Sequence, residues 1–250
     1  MNDKIFIKPS IFNKFEDVVC AVSLKHSPNS MPPFYFNQSF SVGDNPENVK
    51  RNRKLFFGEL KINSDRITYQ RQIHSANIHY SEVPYFFQDS DALYTDKRDI
   101  YLGISIADCV PIFIYSPIAK VVAAVHSGWK GTRSRILSKT VNTLRERYRL
   151  HPEELLAYIG PAISVEHYEV GKFVYDQFPA ESGIEKDGKY FIDLVKDNYN
   201  QLMNSGVPEK NIERSEFCTF RDAEFFHSYR RDGENSGRML GIIGLRPDSF

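Results

Sequence analysis

Tyr101-Leu102-Gly103-Ile104-Ser105-Ile106-Ala107, Pro111-Ile112-Phe113-Ile114-Tyr115 and Lys120-Val121-Val122-Ala123-Ala124-Val125 are three short runs rich in Ile, Val and aromatic residues, and their reading decides the fold class. All three read as strands, with Ser116-Pro117 turning the chain between the last two. The third is almost continuously apolar, the pattern of a strand buried on both faces. Toward the C-terminus, Ile136, Leu137, Val141 and Leu144 fall at helical spacing, which predicts an amphipathic helix over 132–148. Thr132 would cap it, and His151-Pro152 would stop it. A strand is expected over 155–159, running into Gly160-Pro161. A helix follows over 194–204, capped by Asp193 and stopped by Gly206, and strands over 214–220 and 239–245 close the chain.

Toward the N-terminus, 15–23 reads as a strand and 25–40, rich in Pro, Ser and Asn, as a loop. Asp44 or Asn45 then caps a helix with Pro46 in its first turn. It carries Val49, Arg53, Phe56 and Phe57 before Gly58 or Lys61-Ile62-Asn63 ends it. Strands and helices mix without strict alternation, and several strands are consecutive. This predicts an α+β fold, a mixed-sheet α/β sandwich, rather than a doubly wound one. With no internal repeat, low-complexity tract or linker, residues 1–250 are expected to form one domain.

The 32 Lys and Arg balance 32 Asp and Glu, so no global field recruits nucleic acid or an acidic membrane. Met1-Asn2-Asp3-Lys4-Ile5-Phe6-Ile7-Lys8 intersperses charge among apolar residues, unlike a signal peptide or a membrane span. Cys20, Cys109 and Cys218 are an odd count without CxxC spacing, which argues against a disulfide framework and predicts a cytoplasmic location. Cys20, within Val18-Val19-Cys20-Ala21-Val22, reads as a buried core thiol.

Three residues sit in segments that present them: Gln72-Ile73-His74, Ala107-Asp108-Cys109 and His126-Ser127-Gly128-Trp129. Two imidazoles and a thiolate suit zinc and leave a fourth position open for water or substrate. Taken singly, each is more often a partly buried residue satisfied by its neighbours, and no HExxH-type spacing links them. Asp91 and Asp108 are candidate carboxylate partners for the second imidazole nitrogens, although Asp108 also reads as an ordinary turn residue. His26, His79, His151, His167 and His227 are not expected to be ligands.

At these segments the chain resembles the bacterial laccase-domain family, also called YfiH-like, polyphenol oxidase-like or peptidoglycan-editing-factor-like proteins. The matching pieces include Ser41-Val42-Gly43-Asp44, Gln72-Ile73-His74, Asp91-Ala92-Leu93, Ala107-Asp108-Cys109-Val110-Pro111 and His126-Ser127-Gly128-Trp129-Lys130-Gly131. They continue through Gly160-Pro161-Ala162-Ile163, His167-Tyr168-Glu169-Val170, Cys218-Thr219, Tyr229-Arg230-Arg231 and Gly237-Arg238. The resemblance implies that His74, Cys109 and His126 are zinc ligands at the catalytic centre. It also implies purine nucleoside chemistry: phosphorolysis of adenosine, inosine, guanosine or methylthioadenosine, and deamination of adenosine by zinc-activated water. Phosphate would need a cationic pocket, for which Arg230 and Arg231 are candidates unless they form surface salt bridges. The chain departs from the family pattern at Lys130, usually Arg, and at Ser75, commonly Gly. Around Ser23-Leu24-Lys25-His26 the usual Ser-Thr-Arg and Gly-Gly turn are missing, which leaves Lys25 as a candidate substrate contact in a rebuilt loop.

Three other functions compete. The same His/Cys/His site could hydrolyse cytoplasmic peptidoglycan precursors, with Cys109 as nucleophile and a histidine base. A His/His/Cys set can also hold copper, but multicopper phenol oxidation needs further histidines, typically in His-x-His pairs, and the seven histidines form none. A non-enzymatic metal-stabilised binding protein would call for a fourth protein ligand, and none is well presented. The expected partners are a nucleoside and phosphate, with no nucleic acid or membrane; a monomer is compatible with the sequence.

Overall fold

The computed structural model describes residues 4–28 and 30–248, so Met1-Asn2-Asp3, Asn29 and Ser249-Phe250 lie outside the described residues. Two six-stranded mixed sheets stack face to face. The first runs in the order Phe6–Ile7, Val18–Ser23, Met239–Leu245, Ile100–Ile106, Ile67–Gln70, Phe86–Phe87. The second runs Ile212–Arg214, Leu156–Ile159, Val110–Ser116, Val121–Ser127, Ala92–Thr95, Ile78–Tyr80. The long central strands pair antiparallel, and parallel pairs occur at Ile67–Gln70 and at both edges of the second sheet. A small antiparallel sheet holds Glu169–Val170, Lys189–Ile192 and Gly183–Lys186.

Leu102, Ile104 and Ile243 of the first sheet share one buried cluster with Phe113, Tyr115 and Ala124 of the second. On the outer face of the first sheet, Val19, Ala21 and Ile242 cluster with Phe56, Phe57 and Leu60 from the helix Pro46–Leu60. On the outer face of the second, Ile112, Ile114 and Ala123 cluster with Leu137, Val141, Leu144 and Leu202 from the helices Ile136–Tyr148 and Leu194–Asn204. The result is a four-layer α/β/β/α sandwich, and the double covering explains the near-continuous apolar strands. No described helix is long and apolar enough to cross a membrane.

The local signals act as the sequence suggests at both well-marked helices. Asn45 caps the first by accepting the Glu47 amide at 2.9 Å, and the helix passes through Gly58 to end where Lys61 turns left-handed (φ 54°). Asp193 accepts the Lys196 amide at 2.8 Å, and Gly206 follows that helix at φ +88°. The first long strand starts at Val18 rather than at residue 15.

Two expectations fail. The helix expected over 132–148 is two, Trp129–Arg133 and Ile136–Tyr148, separated by Arg135 at φ 60°. Thr132 is not a cap but is fully buried. Its hydroxyl bonds Ser127 Oγ (2.8 Å) and accepts from Asn198 Nδ2 (3.1 Å), and its carbonyl accepts from Gln201 Nε2 (2.9 Å). These bonds from a distant helix pin the turn and let the chain break. The strand expected over 214–220 is only Ile212–Arg214. Beyond it the Cys218 amide donates to Asp222 Oδ2 at 2.8 Å, and Cys218 Sγ accepts from the amide and hydroxyl of Ser164, which curls the chain out of the sheet.

The layering makes a controlled prediction with two isoleucines four residues apart. Ile114 is fully buried under the helices, whereas Ile118 is 69% exposed in the hairpin turn. In urea unfolding, Ile114→Ala should lose about 2–5 kcal/mol of stability. Ile118→Ala should stay within about 0.5 kcal/mol of the parent. Equal losses would contradict the packing.

Candidate metal centre

His74, Cys109 and His126 converge at one end of the sandwich although they come from three separate segments. Their ligand atoms all lie within 4.8 Å of one another, and they are the one such metal-capable group among the described residues. His126 sits near the end of Val121–Ser127, paired with Pro111 in the neighbouring strand. That register brings it beside Cys109, which lies in the turn between Ile100–Ile106 and Val110–Ser116.

His74 follows the end of Ile67–Gln70 and is left-handed, at φ 59°. Its turn is held by Asp91, which is fully buried and accepts the amides of Ile73 (3.2 Å), His74 (3.1 Å) and Ser75 (2.6 Å) and the Ser75 hydroxyl (2.8 Å). The same carboxylate bonds His126 Nδ1 at 2.8 Å, which leaves Nε2 of that ring for the cluster. Gln72 ties the loop to the first sheet by pairing with both the amide (2.7 Å) and the carbonyl (2.9 Å) of Ser105. The turn before Cys109 is also left-handed, with Asp108 at φ 84°. Asp108 accepts the Thr219 hydroxyl and the Arg230 amide, each at 2.7 Å, and touches neither imidazole. Of the two candidate carboxylate partners, only Asp91 bonds a histidine of the cluster.

The donor spacing fits a tetrahedral ion. With Zn–S of about 2.3 Å and Zn–N of about 2.0–2.1 Å, the S-to-N edge of a tetrahedron is roughly 3.6 Å; Cys109 Sγ lies 3.8 Å from His74 Nε2. The His74 and His126 rings meet edge to face with centroids 5.0 Å apart. Gly128 supplies room, because a Cβ there would lie 2.8 Å from both Cys109 Sγ and His74 Cδ2. His126 is buried, Cys109 half-buried and His74 exposed, so the cluster has a closed floor and an open side.

Charge favours a cation as strongly as the spacing does. Burial pushes the Cys109 thiol up, but the charge and hydrogen bonds of His126 and His74 outweigh it and bring the thiol down to about 6. Burial pushes His126 down, but Cys109 and Asp91 outweigh that and raise the imidazole to about 9. Burial also works against the Asp91 charge, and its bonds to His126 and Ser75 more than offset this, holding the carboxyl below its ordinary range. Each partner thus favours the other's charged form, and a divalent ion bound there would take the place of the imidazole proton.

The remaining candidates divide. Arg231 is not free to hold phosphate: its guanidinium donates to the carbonyls of Thr219, Phe220 and Phe226 and pairs with Asp232. Arg230 donates to the Glu169 carbonyl (2.8 Å) and lies over the Tyr168 ring (4.9 Å). Lys25 donates to the Ala223 carbonyl at 3.2 Å and lies over Tyr35. Lys130 is exposed beside Trp129. Sequence reasoning passed over Arg238, whose charge interacts with Asp108 and Cys109. Its signal was its place directly after Gly237 in a matching segment.

Residues 19–246 match the family described as multi-copper polyphenol oxidoreductase laccase. The chain is 34% identical over 253 residues to the purine nucleoside phosphorylase YlmD of Geobacillus stearothermophilus, covering 94% of this chain and 92% of that one. It is 32% identical over 224 residues to the purine nucleoside phosphorylase YfiH of Escherichia coli, covering 86% and 89%. The crystal structure of the hypothetical protein YfiH of Bacillus licheniformis superimposes with a TM-score of 0.90 at 29% identity, over 98% of each chain. On fold, on sequence and on the ordered segments that carry the cluster, this chain belongs to the laccase-domain, YfiH-like family.

Proposed function

We propose that the protein is a zinc-dependent purine nucleoside phosphorylase acting on adenosine, inosine, guanosine or methylthioadenosine, with adenosine deamination at the same centre. The observation that carries this reading is the open His74/Cys109/His126 cluster braced by Asp91, in a chain whose relatives bear the phosphorylase name. One thiolate and two imidazoles with an open side are the donor set of a catalytic rather than a structural zinc site. Bound there, zinc would supply Lewis-acid chemistry, polarising a substrate atom or activating water. The protein's own residues do the rest. Asp91 fixes the ring of His126 and the turn of His74, and the buried floor limits solvent to one side. A multicopper oxidation would need a second cluster of ligands, and the described residues offer one group of three.

Untagged protein prepared without added metal should carry about one zinc per chain. It should release free base from inosine, adenosine or methylthioadenosine only when phosphate is present. Cys109→Ala should lose both metal and turnover. One zinc with no nucleoside turnover would move the assignment to hydrolysis of cell-wall precursors at the same site, with zinc supplying activated water; a Cys109 nucleophile with a histidine base would require the metal-free protein. Stoichiometric copper with robust phenol oxidation would overturn the zinc assignment itself.

Asp91 gives a second test, on affinity. Asp91→Asn keeps the shape but replaces an acceptor-only carboxylate by an amide that cannot satisfy all five donors. Zinc affinity, measured by competition with a chelator, should fall roughly 10–100-fold. Unchanged affinity would show that the carboxylate does not orient the ligands.

A further inference from the structure

Arg238 brings positive charge toward Cys109, offset in part by Asp108, and a short piece of chain links it to Lys25, whose charge is offset in part by Asp232. Two backbone connections set this up. The segment Phe36-Asn37-Gln38 bonds Lys25 at one end, with the Phe36 amide donating to the Lys25 carbonyl at 2.8 Å. At its other end the Gln38 amide donates to the Arg238 carbonyl at 3.0 Å. The Arg238 amide closes the connection on Asn37 Oδ1 at 3.0 Å. Lys25 and Arg238, 213 positions apart in sequence, therefore flank one short piece of chain.

Both charges act on His227, whose side chain is fully buried and whose ring nitrogens both lack a hydrogen-bond partner among the described residues. Gly237 packs directly on this ring: a Cβ there would sit 2.6 Å from His227 Cε1 and 2.7 Å from Nε2. Lys25, Arg238, His26 and Arg231 all disfavour a charge on His227, and burial, the largest cause, does so as well, so the imidazole is held neutral. A neutral imidazole keeps one N–H to donate.

The cations are not equally available. Arg231 is fully engaged with carbonyls and Asp232. The Lys25 ammonium, with three donors, has one bond, to Ala223. Arg238 uses Nη1 on the carbonyls of Ser236 and Gly237, while Nε and Nη2 have no partner among the described residues. The nearest carboxylate on the cluster side, Asp108, is already occupied by Thr219 and the Arg230 amide.

We propose that Lys25 and Arg238, with the unpartnered His227, form a subsite for inorganic phosphate near the His74/Cys109/His126 cluster. This deepens the phosphorylase reading and rests on it for the identity of the ligand. Two cationic side chains of different geometry suit a tetrahedral dianion, with Arg238 offering parallel donors to two oxygens and Lys25 a point charge to a third.

The test is titration of inorganic phosphate into zinc-loaded protein, followed by calorimetry, with zinc content measured for every variant. Arg238→Gln should weaken phosphate binding by ~10-fold or more, the effect of losing hydrogen bonds to a charged group. Lys25→Gln should weaken it several-fold, while Lys130→Gln leaves it unchanged. Arg238→Lys should recover part of the loss, which a merely misfolded site would not. Phosphate affinity unaffected by Arg238→Gln and Lys25→Gln would overturn the proposal. So would an Arg238 dependence confined to a nucleoside 5′-monophosphate and absent for free phosphate, because the anion would then be part of the substrate. Arg238-dependent phosphate binding in a protein that fails to phosphorolyse nucleosides upholds the subsite and removes only the phosphorylase reading.

Discussion

The buried carboxylate of Asp91 is the constraint on which the rest of the site depends. A charge removed from water is strongly unfavourable unless its lone pairs are satisfied. Here Oδ1 takes the His74 amide and His126 Nδ1, while Oδ2 takes the amides of Ile73 and Ser75 and the Ser75 hydroxyl. One group thus holds a left-handed turn closed, orients one imidazole directly and places the other through its backbone. The Ser75 hydroxyl adds a side-chain donor to this carboxylate. The thiolate is positioned independently, through the left-handed Asp108 and its bonds to Thr219 and the Arg230 amide. Two aspartates approach the cluster from different segments, one for the histidines and one for the cysteine.

How much of this was legible depends on the range of the forces involved. The strands Ile100–Ile106, Val110–Ser116 and Val121–Ser127 were readable because layers cover both their faces and leave an apolar run. Ala92–Thr95 is just as buried, but four residues carry no period to read. The break at Arg135 was invisible because the apolar spacing of Ile136, Leu137 and Val141 is that of any helix. What ends the preceding turn is a pair of amide side chains, Asn198 and Gln201, from more than sixty residues away.

The site shows the same division. His74, Cys109 and His126 stand in local segments that announce them, and the structure brings them together. Arg231 misled because a guanidinium aimed at a ligand and one aimed at backbone carbonyls look identical in sequence. Arg238 was passed over for the opposite reason: its importance comes from Asn37 and Gln38, two hundred residues earlier, which hold it in place.

Net charge at the site argues for which chemistry the fold favours. A divalent ion held by one thiolate and two neutral imidazoles retains one positive charge. The nearby carboxylates, Asp91 and Asp108, are each occupied by several hydrogen bonds and offset it only in part. Lys25 and Arg238 add positive charge around the buried His227, which burial first and these cations second hold neutral. Such a field favours an anionic reactant over a neutral or cationic one, and its effect grows where solvent is excluded. Hydrolysis by water would gain little from two further cations, whereas an attacking phosphate must be held and aimed. The positive charge is therefore better matched to a reaction that consumes an oxyanion than to one that consumes water alone.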